Sequence, residues 1–214
     1  MAETQTLSAK QRAIAPIAAF AATGEMARLD DALNRGLDAG LSVSDAREIL
    51  VQLYAYAGFP RSLNALGQLM KTLDARRVRG IDDLPGRDPV QEIPSGDALL
   101  AAGTANQTKL AGGPVKGPLF DFAPAIGQYL KTHLFGDIFE RDNFDWASRE
   151  LATVGILAAL AGVESQLQAH IRISLNVGLS ASQLRELAQG LTDAGDTAAG
   201  SRALAALDRQ LAAN

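Results

Sequence analysis

The chain is 214 residues long, 47% hydrophobic and 21% charged, with 24 acidic residues against 20 basic ones and a net charge of -4. It contains no cysteine. The composition is globular rather than disordered, and the mild acidity speaks against a nucleic-acid binder. The missing thiols remove disulfides, thiolate zinc sites, iron–sulfur clusters, cysteine nucleophiles and dithiol redox centres.

Length admits one large domain or two of roughly 100 residues. The richest apolar run, Ala13–Ala22, is flanked by Gln11, Arg12, Glu25 and Arg28 and falls short of the ~18 apolar residues of a membrane span. As a secretory leader, residues 1–24 read poorly, because Glu3 precedes Lys10 and Arg12 and Pro16 interrupts the run. The expectation is a cytoplasmic protein with no membrane or nucleic-acid partner; a periplasmic location stays open if a leader has been removed.

Further along, Gly40 suits the left-handed residue that closes a helix. Ser42 then caps the next helix, with Asp45 three residues on completing a capping box. Gly58-Phe59-Pro60 breaks that helix and restarts it, Pro60 fitting a first helical turn. Residues 74–118 differ: "RRVRGIDDLPGRDPVQEIPSGD" and "LAGGPVKGP" are dense in Gly, Pro and Asp. They predict a long connector with one short helix near Ala98–Lys109, of the kind that is functional or an extended arm. Helices over Ile126–His133, Phe144–Leu160 and Glu164–Val177 follow. Val154, Leu157, Ala158 and Ala161, then Leu167, Ile171 and Leu175, recur at helical spacing. No strand-like alternation of useful length occurs, so the fold class is all-α.

An internal repeat organises these elements. "LNRGLDAGLSVSDAREIL" around Gly40 echoes "IRISLNVGLSASQLREL" around Gly178, an offset of 178 − 40 = 138. The shared block Gly-Leu-Ser-x-Ser-x-x-Arg-Glu is too specific for composition alone, and Ser180 with Gln183 repeats the capping box. The chain divides into a first repeat (5–73), a connector (74–118) and a second repeat (119–214).

Residues 133–187, "HLFGDIFERDNFDWASRELATVGILAALAGVESQLQAHIRISLNVGLSASQLREL", resemble the carboxymuconolactone decarboxylase family, which shares its fold with the alkylhydroperoxidase D proteins. "GLSVSDAREILVQLYAYAGFPRSLNAL" (40–66) is similar to the same family. The resemblance implies a tandem duplication of that helical domain. It also implies a homo-oligomer, a trimer with a hexamer-like arrangement of repeats being favoured. The family's peroxidase branch uses Glu, a Cys-x-x-Cys pair and His. By resemblance Glu150 and His170 take the outer places, while Val163 and Gln166 stand where the sulfurs would be. Peroxiredoxin activity is therefore a family label that this chain cannot carry out by thiol cycling.

The decarboxylase branch needs no cysteine. The resemblance implies a cofactor-independent lyase acting on a small anionic substrate, a carboxylated lactone or related carbon acid. Such chemistry calls for a general acid and an anion anchor. Histidine suits proton transfer near neutral pH, and the chain has two, His133 and His170. The candidate catalytic residues are His170, Glu150 and His133. The candidate substrate-binding residues are Arg141, Gln166, Val163 and Tyr56. Each has a plainer reading: His170 as a satisfied core residue, His133 as a helix C-terminal cap, Glu150 and Arg141 as ion-pair partners, Tyr54 and Tyr56 as packing, Trp146 as core or interface. Glu150 and His170 meet only if their two helices pack antiparallel, which the short Ala161-Gly162-Val163 link permits. The repeat-one equivalents of Glu150, Gln166 and His170 are Arg12, Arg28 and Ala32, so a second copy of the site is not expected. Duplicated Arg47-Glu48 and Arg185-Glu186 are expected to hold helices or subunits together. No metal and no cofactor are expected: two histidines without His-x-x-x-His spacing make a poor zinc site, and "AGGPVKGP" lacks the end of a phosphate loop. A non-catalytic binding or scaffold role on the same fold is the alternative.

Overall fold

The computed structural model describes residues 6–213. The first repeat comprises α1 (Ala9–Thr23), α2 (Met26–Asp38), α3 (Val43–Gln52), α4 (Tyr54–Ala57) and α5 (Phe59–Val78). The connector carries α6 (Gly96–Ala111), followed by α7 (Pro118–Phe122), α8 (Pro124–Tyr129) and a π-helical segment, Leu130–Ile138. The second repeat closes with α9 (Trp146–Ala159), α10 (Glu164–Asn176), α11 (Ala181–Asp193) and α12 (Thr197–Ala212). No strand occurs among the described residues.

The repeat is visible in the helix boundaries. α2 and α10 coincide at both ends under the offset of 138 (26 + 138 = 164, 38 + 138 = 176), and α3 and α11 start in register (43 + 138 = 181). The local causes are duplicated too. Gly40 and Gly178 take φ of 95° and 98°, a left-handed turn that costs glycine little. Ser42 and Ser180 then cap α3 and α11 in full capping boxes with Asp45 and Gln183.

The two repeats cross at α1 and α9, which form the centre of the main core. The apolar run Ala13–Ala22 is thus the central helix, with Ile14, Ile17 and Phe20 fully buried. The crossing is close: a Cβ on Gly155 would lie 2.6 Å from the Ala15 carbonyl oxygen and 2.9 Å from its Cα. α10 folds back on α9, and α12 covers both.

The connector is pinned rather than free. Arg76, 3% exposed, grips Asp83 and Asp38. The Val43 and Ser44 amides donate to the Leu84 and Pro85 carbonyls. Arg87 pairs with Asp142 at 2.8 Å, and the Val90 and Gln91 amides donate to the same carboxylate. These bonds hold the half-buried Asp142 carboxyl down at about 2.

The connector's helix is longer than the Ala98–Lys109 expected, and α6 lies along the π-helical segment. Gly103 makes this possible, since a Cβ there would stand 1.7 Å from the Lys131 carbonyl oxygen. Leu110, Leu134, Phe135, Ile138, Phe139 and Ile173 form a second, smaller core beneath it. The expected helix Ile126–His133 is corrected here. It does not end at His133 but widens into the π-helical segment and runs to Ile138, so His133 lies inside it and caps nothing. The apolar continuation Leu134-Phe135 buries against α6 and carries the helix onward. Among the described residues no helix is long and apolar enough to cross a membrane.

Candidate active site

α9 and α10 are antiparallel neighbours joined by the turn at Gly162, whose φ is 82°. Asp145 caps α9 by accepting from the Ser148 amide. This register puts Glu150, one turn into α9, opposite His170 in the middle of α10. Glu150 Oε2 lies 2.8 Å from His170 Nδ1. Glu150 is fully buried and His170 is 7% exposed. A carboxylate on Nδ1 fixes that nitrogen as the donor and leaves the Nε2 lone pair pointing away from the pair. Nε2 makes no hydrogen bond among the described residues.

The second oxygen of Glu150, Oε1, is buried and has no partner. Such an acceptor costs about 1–3 kcal/mol while unsatisfied, and a bound donor would satisfy it. Tyr56 from α4 stands edge-on to His170, ring centroids 5.6 Å apart at 80°. Its hydroxyl lies 3.3 Å from Thr153 Oγ1. Burial, reinforced by the Glu150 charge, raises the Tyr56 phenol well above its usual value and keeps it protonated.

The remaining expected residues fall elsewhere. Gln166 is exposed on α10 and accepts from the Ser165 hydroxyl. Val163 precedes α10 and packs partly buried against the main core. Arg141 is engaged by Glu48, with Nε at 2.9 Å from Oε2 and Nη2 at 2.7 Å from Oε1. Among the described residues no hydrogen bond or ion pair joins it to His170. His133 also stands apart: its Nδ1 is 2.6 Å from Asp137 Oδ2 and its Nε2 meets the Tyr54 hydroxyl. Asp137 was not among the residues expected here, although its i,i+4 spacing from His133 is a signal legible in the sequence.

Glu48 anchors a second buried network that the sequence reading does not foresee. Arg149, 0% exposed, donates from Nη2 to Glu48 Oε2 at 3.0 Å and from Nη1 to Gln52 Oε1 at 3.2 Å. Burial pushes the Glu48 carboxyl up, but the bond from Arg141 and the charge of Arg149 outweigh it, and its pKa ends below the usual value. Burial also drags the Arg149 guanidinium down, against the pull of Glu48. The duplicated acids therefore do not pair with their neighbours Arg47 and Arg185. Those arginines take Asp88 and Asp208, while Glu186 meets Arg12 of the other repeat at 3.6 Å.

Among the described residues repeat one holds no dyad. Arg12 donates to the Leu7 carbonyl, Arg28 donates to Glu25 and to the Ala194 carbonyl, and Ala32 is buried. Among the described residues no group of three or more His, Asp or Glu side chains could hold a metal ion.

Together these features define an all-helical tandem protein with one buried His–carboxylate dyad and no thiol beside it. The carboxymuconolactone decarboxylase family pattern matches residues 1–70 and 124–209, and the chain belongs to that family. No curated protein matches the chain.

Proposed function

We propose that the protein is a cofactor-independent acid–base enzyme, a lyase acting on a small carboxylated lactone or related carbon acid. The observation that carries this reading is the Glu150–His170 dyad, with Nδ1 held at 2.8 Å and Nε2 unbonded. In a decarboxylation the substrate carboxylate leaves as carbon dioxide and its electron pair passes to the adjacent carbon. His170, protonated on Nε2, delivers the proton that this carbon takes up. Glu150 orients the ring and stabilises the imidazolium. Tyr56, protonated and edge-on to His170, bounds the site. Repeat one contributes Tyr56 and otherwise serves as structural support. The oligomer reading rests on the apolar side chains that α7 and α8 leave open, Phe122 at 89% and Tyr129 at 63% exposure. The family label of peroxide reduction has no thiol to act through.

The test is carbon dioxide release from a panel of small carboxylated lactones by the wild type, His170→Gln and Glu150→Gln. General acid catalysis contributes about 10²–10⁴-fold, so His170→Gln should lose a factor of that order and Glu150→Gln should also fall. Equal turnover by wild type and His170→Gln sinks the assignment. No turnover of any lactone, with thermal stabilisation by one of them, would favour the binding role.

A further inference from the structure

Both histidines of the chain sit between a carboxylate and a tyrosine of the same short helix. His170 has Glu150 and Tyr56. His133 has Asp137, and Tyr54 at 5.3 Å between ring centroids. Residues two apart on a helix point about 200° apart, so α4 turns one tyrosine to each histidine. The constellations differ in exposure. The His170 side chain is 9% exposed and that of Glu150 is 0%, whereas those of His133 and Asp137 are 53% and 39% exposed.

The bond directions around His133 form a relay. Asp137 accepts from Nδ1, which leaves the Nε2 lone pair to accept from the Tyr54 hydroxyl. The lone pairs of the Tyr54 oxygen remain open to a donor. Beside this polar tip lies an apolar floor. The Tyr54 ring stacks on Phe59 at 4.5 Å and 12°, and Phe59 and Leu63, one turn apart on α5, are 61% and 63% exposed. Burial, with the charge of Asp137, keeps the Tyr54 phenol protonated at rest, as a relay donor must be.

We propose that Asp137, His133 and Tyr54 form a second acid–base site, separate from the Glu150–His170 dyad, that removes a proton from a planar, weakly acidic carbon acid lying on Phe59. In the step, the substrate C–H proton moves to Tyr54 Oη as the phenol's own proton moves to His133 Nε2. The C–H electron pair stays with the substrate as an enolate or expels a leaving group from it. Asp137 stabilises the imidazolium. Nothing is oxidised or reduced. Tyr54 is the catalytic residue, and His133 and Asp137 act through it.

The probe is 5-nitrobenzisoxazole, a planar carbon acid that loses its ring C–H proton, breaks its N–O bond and becomes a coloured cyanophenolate. All proteins carry His170→Gln, which removes the first dyad and keeps this test independent of the lyase reading. A saturable rate above buffer is expected in that parent. Tyr54→Phe, which retains the ring that stacks on Phe59, should lower it about tenfold or more, as should His133→Gln. Asp137→Asn should lower kcat with KM for the probe near the parent's, because the carboxylate orients the ring and stabilises the imidazolium without touching the substrate; a purely structural role would raise KM as well. The parent retains one imidazole, so its proton resonances report His133 alone and confirm that Tyr54→Phe and Asp137→Asn are folded there. A parent rate equal to buffer, or a Tyr54→Phe rate equal to or above the parent's, overturns the proposal.

Discussion

Repeat one and repeat two are built by the same local instructions and filled with different chemistry. Their second helices coincide at both ends under one offset, and their third helices begin with the same serine cap. Yet α9 and α10 hold Glu150 against His170, while Arg12, Arg28 and Ala32 stand at the matching positions of repeat one, where the two arginines tie down carbonyls and carboxylates. The lesson is separability. Glycine turns and caps specify the helices, whereas the site depends on a few side chains facing one another across a hairpin. Those side chains can change without disturbing the frame.

The sharpest break in that comparison lies in the two inter-repeat acids. Glu48, with a side chain 4% exposed, neutralises Arg149, which is fully buried. Its counterpart Glu186 is 27% exposed and meets the half-exposed Arg12 at 3.6 Å. Removing one partner of a buried pair costs about 3–5 kcal/mol, and an exposed pair is worth about 0–1 kcal/mol. Glu48→Ala should therefore lower unfolding stability several times more than Glu186→Ala in urea titrations. Similar losses from both would show the repeats to be energetically symmetric. The same acid has a pH signature. The folded Glu48 carboxyl titrates below its ordinary 4.5, so its contribution is in place above that pH and drains away as pH falls through the folded value. The gap between wild type and Glu48→Gln should narrow on acidification below about pH 4.5. A constant gap would contradict the depressed pKa.

A smaller effect is expected at the crossing itself. Gly155→Ala places a methyl 2.6 Å from the Ala15 carbonyl oxygen, and neither backbone can yield without moving its helix. Overpacking of this kind costs about 1–3 kcal/mol, to be read as a lowered midpoint in the same titrations. An unchanged midpoint would mean that the repeats meet less tightly than their geometry indicates.

Much of the frame was legible because its causes are local. A glycine that must turn left-handed, a serine with its capping partner three residues on, and a repeated nine-residue block can each be read without knowing the rest of the chain. The Glu150–His170 contact was legible at one remove, since a short link between two helices forces an antiparallel pair. The Glu48 network was not legible. Arg141 and Arg149 lie 93 and 101 residues from Glu48, and only the packing of one repeat on the other brings them together. The π-helical segment was not legible, because a wider turn does not keep the 3.6-residue period by which a helix is recognised in a sequence. The wider segment puts His133 in a helix interior, with Asp137 one turn on as its partner.

The pinned connector limits how two molecules can combine. Tandem repeats joined by a slack linker are prone to exchange halves, one molecule's first repeat closing on another's second. Here the linking segment is bonded to repeat one through Asp83, Leu84 and Pro85 and to repeat two through Arg87, Val90 and Gln91. An exchange would have to strip one of those sets before any new interface formed. Higher assemblies of this chain must then grow by apposing finished surfaces, so that each molecule keeps its own dyad and its own supporting repeat.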